Sequence, residues 1–209
     1  MNASDRMVLH WSPRSPYVRK VVIAAHELGL ARRIDQVRTV VGGTDPHHEL
    51  MRENPLGKIP TLVLADGTII YDSPVVCEAL DRMAGGLLFP AEWKARLVAL
   101  RWQALGSGML DISLLRLTER NKPAAMRSAP HEALWKGKID CCIDALEAEA
   151  GALAATPFNI GHIAIGVALG YLDFRFAAEA WREGHPRLAA WQASFNARPS
   201  VAANLPQEG

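Results

Sequence analysis

Apolar and polar positions alternate between two periods in the first third of the chain. Val8 to Trp11 is a short apolar run that predicts a buried strand. From Pro16 to Leu28, Val18, Val21, Val22, Ala25 and Leu28 recur at helical spacing, with Arg19, Lys20, His26 and Glu27 on the outer face. Gly29 supplies the stop. Ile34 to Val40 alternates and predicts a second strand, followed by a loop with one helical turn. Thr61 to Leu64 and Thr68 to Tyr71 are β-rich and joined across Ala65-Asp66-Gly67, a hairpin signal. Ser73-Pro74 then opens a helix with proline at its first turn, and Val75, Val76, Ala79, Leu80 and Met83 form its apolar stripe.

Gly85-Gly86 ends this unit, and after Pro90 the texture changes to long Ala/Leu-rich helical patterns broken at Pro123, Pro130, Pro157 and Pro186. The pattern predicts a small α/β domain over residues 7–84 and an all-α domain over residues 91–200. From Ala150 to Leu172 there are 23 residues without Asp, Glu, Lys or Arg. Thr156-Pro157-Phe158-Asn159 interrupts that run. Asn159 is a good helix cap, and Ile160 to Leu172 is too short to span a bilayer, so a buried core helix is expected and no membrane association.

Composition narrows the functions. The 209 residues suit one large or two small domains. Lys plus Arg is 23 against 22 for Asp plus Glu, a balance that argues against a nucleic-acid partner. Cys77, Cys141 and Cys142 are too few for a disulfide framework, and no Cys-x-x-Cys stands ready for metal or dithiol chemistry. His47-His48 lack a convergent metal-ligand spacing, so no metal is expected. Cys141 and Cys142 point about 100° apart on a helix and read as packing residues, one of them exposed. The start, Met1-Asn2-Ala3-Ser4-Asp5-Arg6, has no apolar core of a secretory signal.

Three places could carry chemistry. Ser15-Pro16-Tyr17 lies where the first strand gives way to the first helix, so a hydroxyl meets free N–H groups and the positive end of a helix dipole. Simple capping by Ser15 or Ser12 explains the same residues. Asp72-Ser73-Pro74 repeats this arrangement at a second helix start. Between them, Ile59-Pro60 precedes a strand. A cis proline there would turn the Ile59 backbone outward toward an extended ligand; a trans proline would merely begin an edge strand.

The ordered set Ser15-Pro16-Tyr17-Val18-Arg19-Lys20, Asn54-Pro55-Leu56-Gly57-Lys58-Ile59-Pro60-Thr61-Leu62, the Asp-Gly hairpin and Asp72-Ser73-Pro74 resembles the cytosolic glutathione transferase family, in its bacterial, serine-type form. The run Ile163 to Arg175 is similar to the core helix of bacterial members. The resemblance covers nearly the whole chain and implies an α/β thioredoxin-like N-terminal domain plus an all-α C-terminal domain, a cytoplasmic homodimer and a role in detoxification. Ser15 then matches the catalytic serine, which donates its O–H to the sulfur of glutathione, the co-substrate; Ser12 is the alternative hydroxyl. Ile59, before cis Pro60, would pair with the cysteinyl backbone, and Asp72 and Ser73 would hold the γ-glutamyl end. Lys58 would reach the glycyl carboxylate or stay solvated.

A small hydrophobic electrophile is expected between the domains, against Trp11, Tyr17, Met109 and Leu110, with Leu115 nearby. Glutathione-dependent isomerisation or peroxide reduction, and a non-catalytic binding module on the same scaffold, are the alternatives. One departure stands out. The family places Asp three residues after the core-helix cap, and here His162 follows Asn159. A neutral histidine lacks the returning carboxylate, so a weaker helix start is expected, with His162 a satisfied core residue or a functional one.

Overall fold

The computed structural model describes residues 6–42 and 45–208. Contacts divide the chain into two compact units, one of residues 1–96 and 199–209, the other of residues 97–198.

The first unit holds a four-stranded sheet in the order β2-β1-β3-β4, from β1 (Met7–Trp11), β2 (Ile34–Arg38), β3 (Thr61–Val63) and β4 (Ile69–Ile70). β1 runs parallel to β2 and antiparallel to β3, with His10 opposite Thr61; β3 is antiparallel to β4, with Leu62 opposite Ile70. The hairpin closes where expected. Gly67 takes a positive φ of 85°, Leu64 N–H donates to Thr68 O at 2.8 Å, and Thr68 N–H donates to the Asp66 carboxylate at 2.9 Å.

Helix α1 (Pro16–Glu27) packs on α3 (Ser73–Met83), and α2 (His48–Glu53) fills the expected single turn. Leu9, Val21, Ile23, Leu62, Val76 and Leu80 form the unit's fully buried core. α2 starts on a cap the sequence did not suggest: His47 Nδ1 accepts the Leu50 N–H at 3.1 Å. Past α3, the buried Asp81 carboxylate accepts N–H bonds from Leu87, Leu88 and Phe89 at 2.8, 2.6 and 3.3 Å, fixing the chain beyond Gly85-Gly86.

Arg19 and Lys20 depart from expectation. Both are buried, 6% and 1% exposed. Arg19 is covered from the far end of the sequence, where α8 (Pro199–Ala202) and the residues after it lie along α1, while Lys20 lies over the Tyr17 ring with its charge acting on Cys77 of α3. The helical domain expected to run to residue 200 therefore gives its last residues back to the first unit.

The second unit is built from α4 (Trp93–Arg120), most of which belongs to it, α5 (Ala129–Ala155), α6 (Ile160–Phe176) and α7 (Pro186–Asn196). Every residue from Ile160 to Leu169 is buried, as a helix apolar on all sides requires. By length and composition, residues 160–179 could cross a membrane; 78% of the apolar window is buried inside the protein instead. Close packing comes from glycine: a Cβ on Gly106 of α4 would lie 2.5 Å from the Ala164 backbone carbon of α6. Arg116, 1% exposed, pairs with Glu132 and Glu179 and lies 4.4 Å over the Phe176 ring, so the buried guanidinium is fully engaged.

The start of α6 corrects the sequence reading. Asn159 Oδ1 accepts the Gly161 N–H at 2.9 Å, and His162 Nδ1 accepts the Asn159 N–H at 3.2 Å, so imidazole completes the capping box in place of a carboxylate. Nε2 then carries the proton and donates to Leu153 O at 3.0 Å, which selects one neutral tautomer. Burial lowers the His162 pKa below its ordinary 6.5, the nearby Arg198 charge adding to this, and its hydrogen bonds only partly oppose them. The unfolded chain takes up this proton first on acidification. The neutral ring's contribution is therefore complete above about pH 6.5 and is lost as the pH falls through the lower folded value. In His162→Asp, which keeps a capping acceptor that does not titrate in that window, melting temperature should fall less between about pH 6.5 and 5 than in the wild type. Equal slopes in the two proteins would contradict this role.

Candidate functional site

The strand register gathers the three motifs. β1 ends at Trp11, β3 begins at Thr61 opposite His10, and β4 ends at Ile70 opposite Leu62. The loop after β1, the Ile59-Pro60 segment before β3 and the Asp72-Ser73 segment after β4 therefore leave the sheet at the same end. α1 and α3 both start there. Two helix N-termini of 12 and 11 residues thus present free N–H groups and positive dipole ends to one place.

Ser15 is the N-cap of α1. Its Oγ accepts the Val18 N–H at 3.3 Å, and its own N–H donates to Ser12 O at 3.2 Å. Capping uses an oxygen lone pair and leaves the hydroxyl hydrogen to donate elsewhere, so capping and donation to a ligand are compatible in one side chain. Ser12 is buried, while Ser15 is half-buried. Asp72 occupies the N-cap position of α3 without a side-chain capping bond, and its carboxylate is exposed. Ser73, 2% exposed, begins the helix. Pro74 has no N–H and Val76 N–H donates to Asp72 O at 2.9 Å, so the Ser73 and Val75 amides have no acceptor within the helix.

The Ile59–Pro60 peptide bond is cis. The loop leading to it is organised by Asn54, a residue whose importance the sequence alone does not reveal. Buried Asn54 donates from Nδ2 to Lys58 O and to Thr61 Oγ1, both at 3.0 Å, and accepts the Leu56 N–H at 3.0 Å. Thr61 Oγ1 donates back to Lys58 O at 2.9 Å. An Asn just before a Pro-Leu-Gly turn is the one local hint the sequence carries, and its burial shows only in the fold. Lys58 itself is exposed. His10 in β1 bonds Thr39 Oγ1 and Glu53 Oε2, each at 2.8 Å, tying the end of α2 to the sheet just before Asn54.

Cys77 of α3 is fully buried. Burial pushes its thiol up to about 12, against the pull of the Lys20 charge, so at neutral pH it stays protonated and unreactive. Cys141 is exposed and Cys142 half-buried, its thiol also raised by burial.

Trp11 and Tyr17 are half-buried, at the end of β1 and the start of α1. Met109 and Leu110, expected at the electrophile pocket, are 1% and 0% exposed and pack in the helical core of this structure. An apolar stripe in a long helix does not distinguish core from pocket. A cavity of about 610 Å³ lies wholly in the second unit, against Phe158, His162, Trp191, Phe195 and Arg198, and is lined by none of Ser15, Ile59, Asp72, Ser73, Trp11 or Tyr17.

Two helix N-termini thus meet at one end of a mixed four-stranded sheet in a chain that also carries a helical unit, and sequence comparison makes the family explicit. The N-terminal domain family of the glutathione S-transferases matches residues 14–83, and their C-terminal domain family matches residues 91–192. The chain belongs to the glutathione S-transferase family. It is 31% identical over 203 residues to the "Uncharacterized GST-like protein YibF" of Escherichia coli K12, covering 96% of this chain and 98% of that one. A glutathione transferase family member from Pseudomonas fluorescens Pf-5, solved with bound glutathione, is 37% identical with a TM-score of 0.92, over 97% of this chain and all of that one. A glutathione S-transferase from Methylobacillus flagellatus KT, also with glutathione bound, is 31% identical with a TM-score of 0.88, over 96% and 100% of the two chains.

Proposed function

We propose that this protein is a glutathione transferase that binds glutathione at the shared end of its sheet and activates its thiol for attack on a hydrophobic electrophile. The observation that carries the reading is the convergence there of Ser15, Ile59–cis-Pro60 and Asp72-Ser73. The glutathione-bound relatives support it.

Each end of the tripeptide meets matching chemistry in this reading. The γ-glutamyl carboxylate lies at the α3 N-terminus, where Ser73 and the free amides donate, and its ammonium faces the Asp72 carboxylate. The Ile59 backbone pairs with the cysteinyl unit, and Lys58 faces the glycyl carboxylate. Ser15 donates its O–H to the sulfur. A free thiol titrates near 8.5, and lowering that by about two units takes roughly 2.7 kcal/mol. A helix N-terminus contributes about 0.3–1 kcal/mol and a hydrogen bond to an anion about 1.5–3, so the two together suffice. Serine cannot form a mixed disulfide, which favours conjugation over thiol-disulfide exchange. The nucleophile is the ligand's thiolate, and Ser15 remains uncharged throughout. Trp11 and Tyr17 flank this thiol and would face the electrophile.

A cytoplasmic homodimer belongs to the same reading. Val75, Met83, Leu87 and Trp93 leave apolar surface exposed on and after α3, of a kind a second copy would cover. Calorimetry should show glutathione binding, and a generic aromatic electrophile should be conjugated in its presence. Binding without turnover on a panel of electrophiles and peroxides would leave a binding module in place of an enzyme. Absence of binding would overturn the proposal.

A further inference from the structure

We infer that the C-terminal segment Pro199–Gln207 is a working part of the Ser15 site, holding the β1–α1 loop in register, with Arg19 as the positioning residue through which it acts. The kinetic part of this inference rests on the proposed glutathione chemistry; the structural part does not.

The segment is latched at three levels along α1. At the far end, Ser200 Oγ donates to Glu27 Oε1 at 2.5 Å while Val201 is fully buried. Near the first turn, Arg19 Nε donates to Asn204 O at 2.8 Å, and Asn204 Nδ2 donates to Ser200 O at 2.7 Å, so the chain is fixed at both ends of one turn. Beyond that, Gln207 N–H donates to Pro13 O at 3.3 Å. Pro13 lies between Ser12 and Ser15, in the loop that aims the Ser15 hydroxyl.

That loop carries two prolines. Pro13 and Pro16 have no N–H to contribute, and the bonds within it are Ser15 N–H to Ser12 O and Val18 N–H to Ser15 Oγ. Gln207 adds a restraint from outside, on the Pro13 carbonyl. Burying Arg19 for this purpose also makes sense of its position. Arg19 is 6% exposed, and its Nε donates to the backbone carbonyl of Asn204. A hydroxyl that must sit within hydrogen-bond reach of a sulfur is sensitive to small displacements, and misplacement by about 1 Å can cost about a hundredfold in rate.

The test uses two substitutions at one exposed position. Gln207→Pro removes the backbone N–H, whereas Gln207→Ala keeps it. In Gln207→Pro, amide exchange at Ser15 and Val18 should quicken by about tenfold, the loss of one neutral hydrogen bond. The acid limb of the kcat/KM profile should move up toward the free-thiol value, kcat below about pH 7 should fall several-fold, and the KM for glutathione should change little, since the peptide's ends are held elsewhere. Gln207→Ala should match the wild type. Arg19→Met should reproduce the Gln207→Pro profile; should it fail to fold, the pair at position 207 still decides. Wild-type exchange at Ser15 and Val18 in Gln207→Pro, or an equal defect in Gln207→Ala, would overturn the inference. Because exchange is read without turnover, a wild type inactive toward glutathione would defeat the proposed function while leaving this test intact.

Discussion

Replacing Ser15 with glycine should lower kcat/KM for glutathione conjugation by about 10- to 100-fold near pH 6.5, and the loss should shrink as the pH approaches about 8.5. The magnitude follows from the hydrogen bond a hydroxyl gives to a thiolate, about 1.5–3 kcal/mol, at 1.36 kcal/mol for each tenfold. Ser15 also caps α1 through the Val18 N–H, so an effect on folding must be separated from one on chemistry. Glycine does this well, since it costs an N-cap only a few tenths of a kcal/mol where alanine costs about 1. Ser15→Gly should therefore melt close to the wild type while losing activity; Ser15→Ala should lose both. Ser15→Asp would cap as well as serine yet place a negative charge beside the thiolate, and should be the least active of the three. A Ser15→Gly enzyme with wild-type kcat/KM would transfer the role to Ser12.

The largest effect on stability is expected at Gly106, where α4 crosses α6. A methyl group there would lie 2.5 and 2.6 Å from the Ala164 carbonyl carbon and oxygen and 2.8 Å from the Ile165 nitrogen. These are backbone atoms of the buried core helix, so no side-chain rotation relieves the overlap. The helices must separate, disturbing a helix buried on all sides. Overpacking costs about 1–3 kcal/mol in general, and a backbone obstacle places Gly106→Ala at or above the top of that range. The better helix propensity of alanine returns about 0.8–1 kcal/mol. At about 2–4 °C per kcal/mol for a chain of this size, thermal melting should fall by roughly 5–10 °C. Gly108 in the same helix is the control. Nothing lies within 4 Å of its would-be Cβ, so Gly108→Ala should melt at or above the wild-type temperature. Equal melting of the two variants would show that the close approach of α4 and α6 is not what glycine is needed for.

What could be read from the sequence was whatever depends on neighbours in the chain. The Asp66-Gly67 turn, the stop at Gly29 and the proline start of α3 are local devices, and each stands where its residues put it. The three site segments were singled out by the order of their motifs and the family resemblance that order carries, whereas their meeting at one sheet end depends on strands paired across some 50 residues, such as His10 with Thr61. Burial of Arg19 was not legible, since what covers it comes from a segment more than 180 residues later. His162 misled for a different reason. A capping box is usually recognised by an acidic or amide side chain, and whether imidazole can accept depends on a tautomer that only the Leu153 carbonyl decides. Met109 and Leu110 show the limit of periodicity, which marks an apolar face but not what lies against it.

The ultraviolet titration of the thiol of bound glutathione tests the central claim most directly. The two helix N-termini and the Ser15 hydroxyl should bring it from about 8.5 to about 6.5, with most of the shift lost in Ser15→Gly. A bound thiol that titrates as it does free in solution would contradict the account.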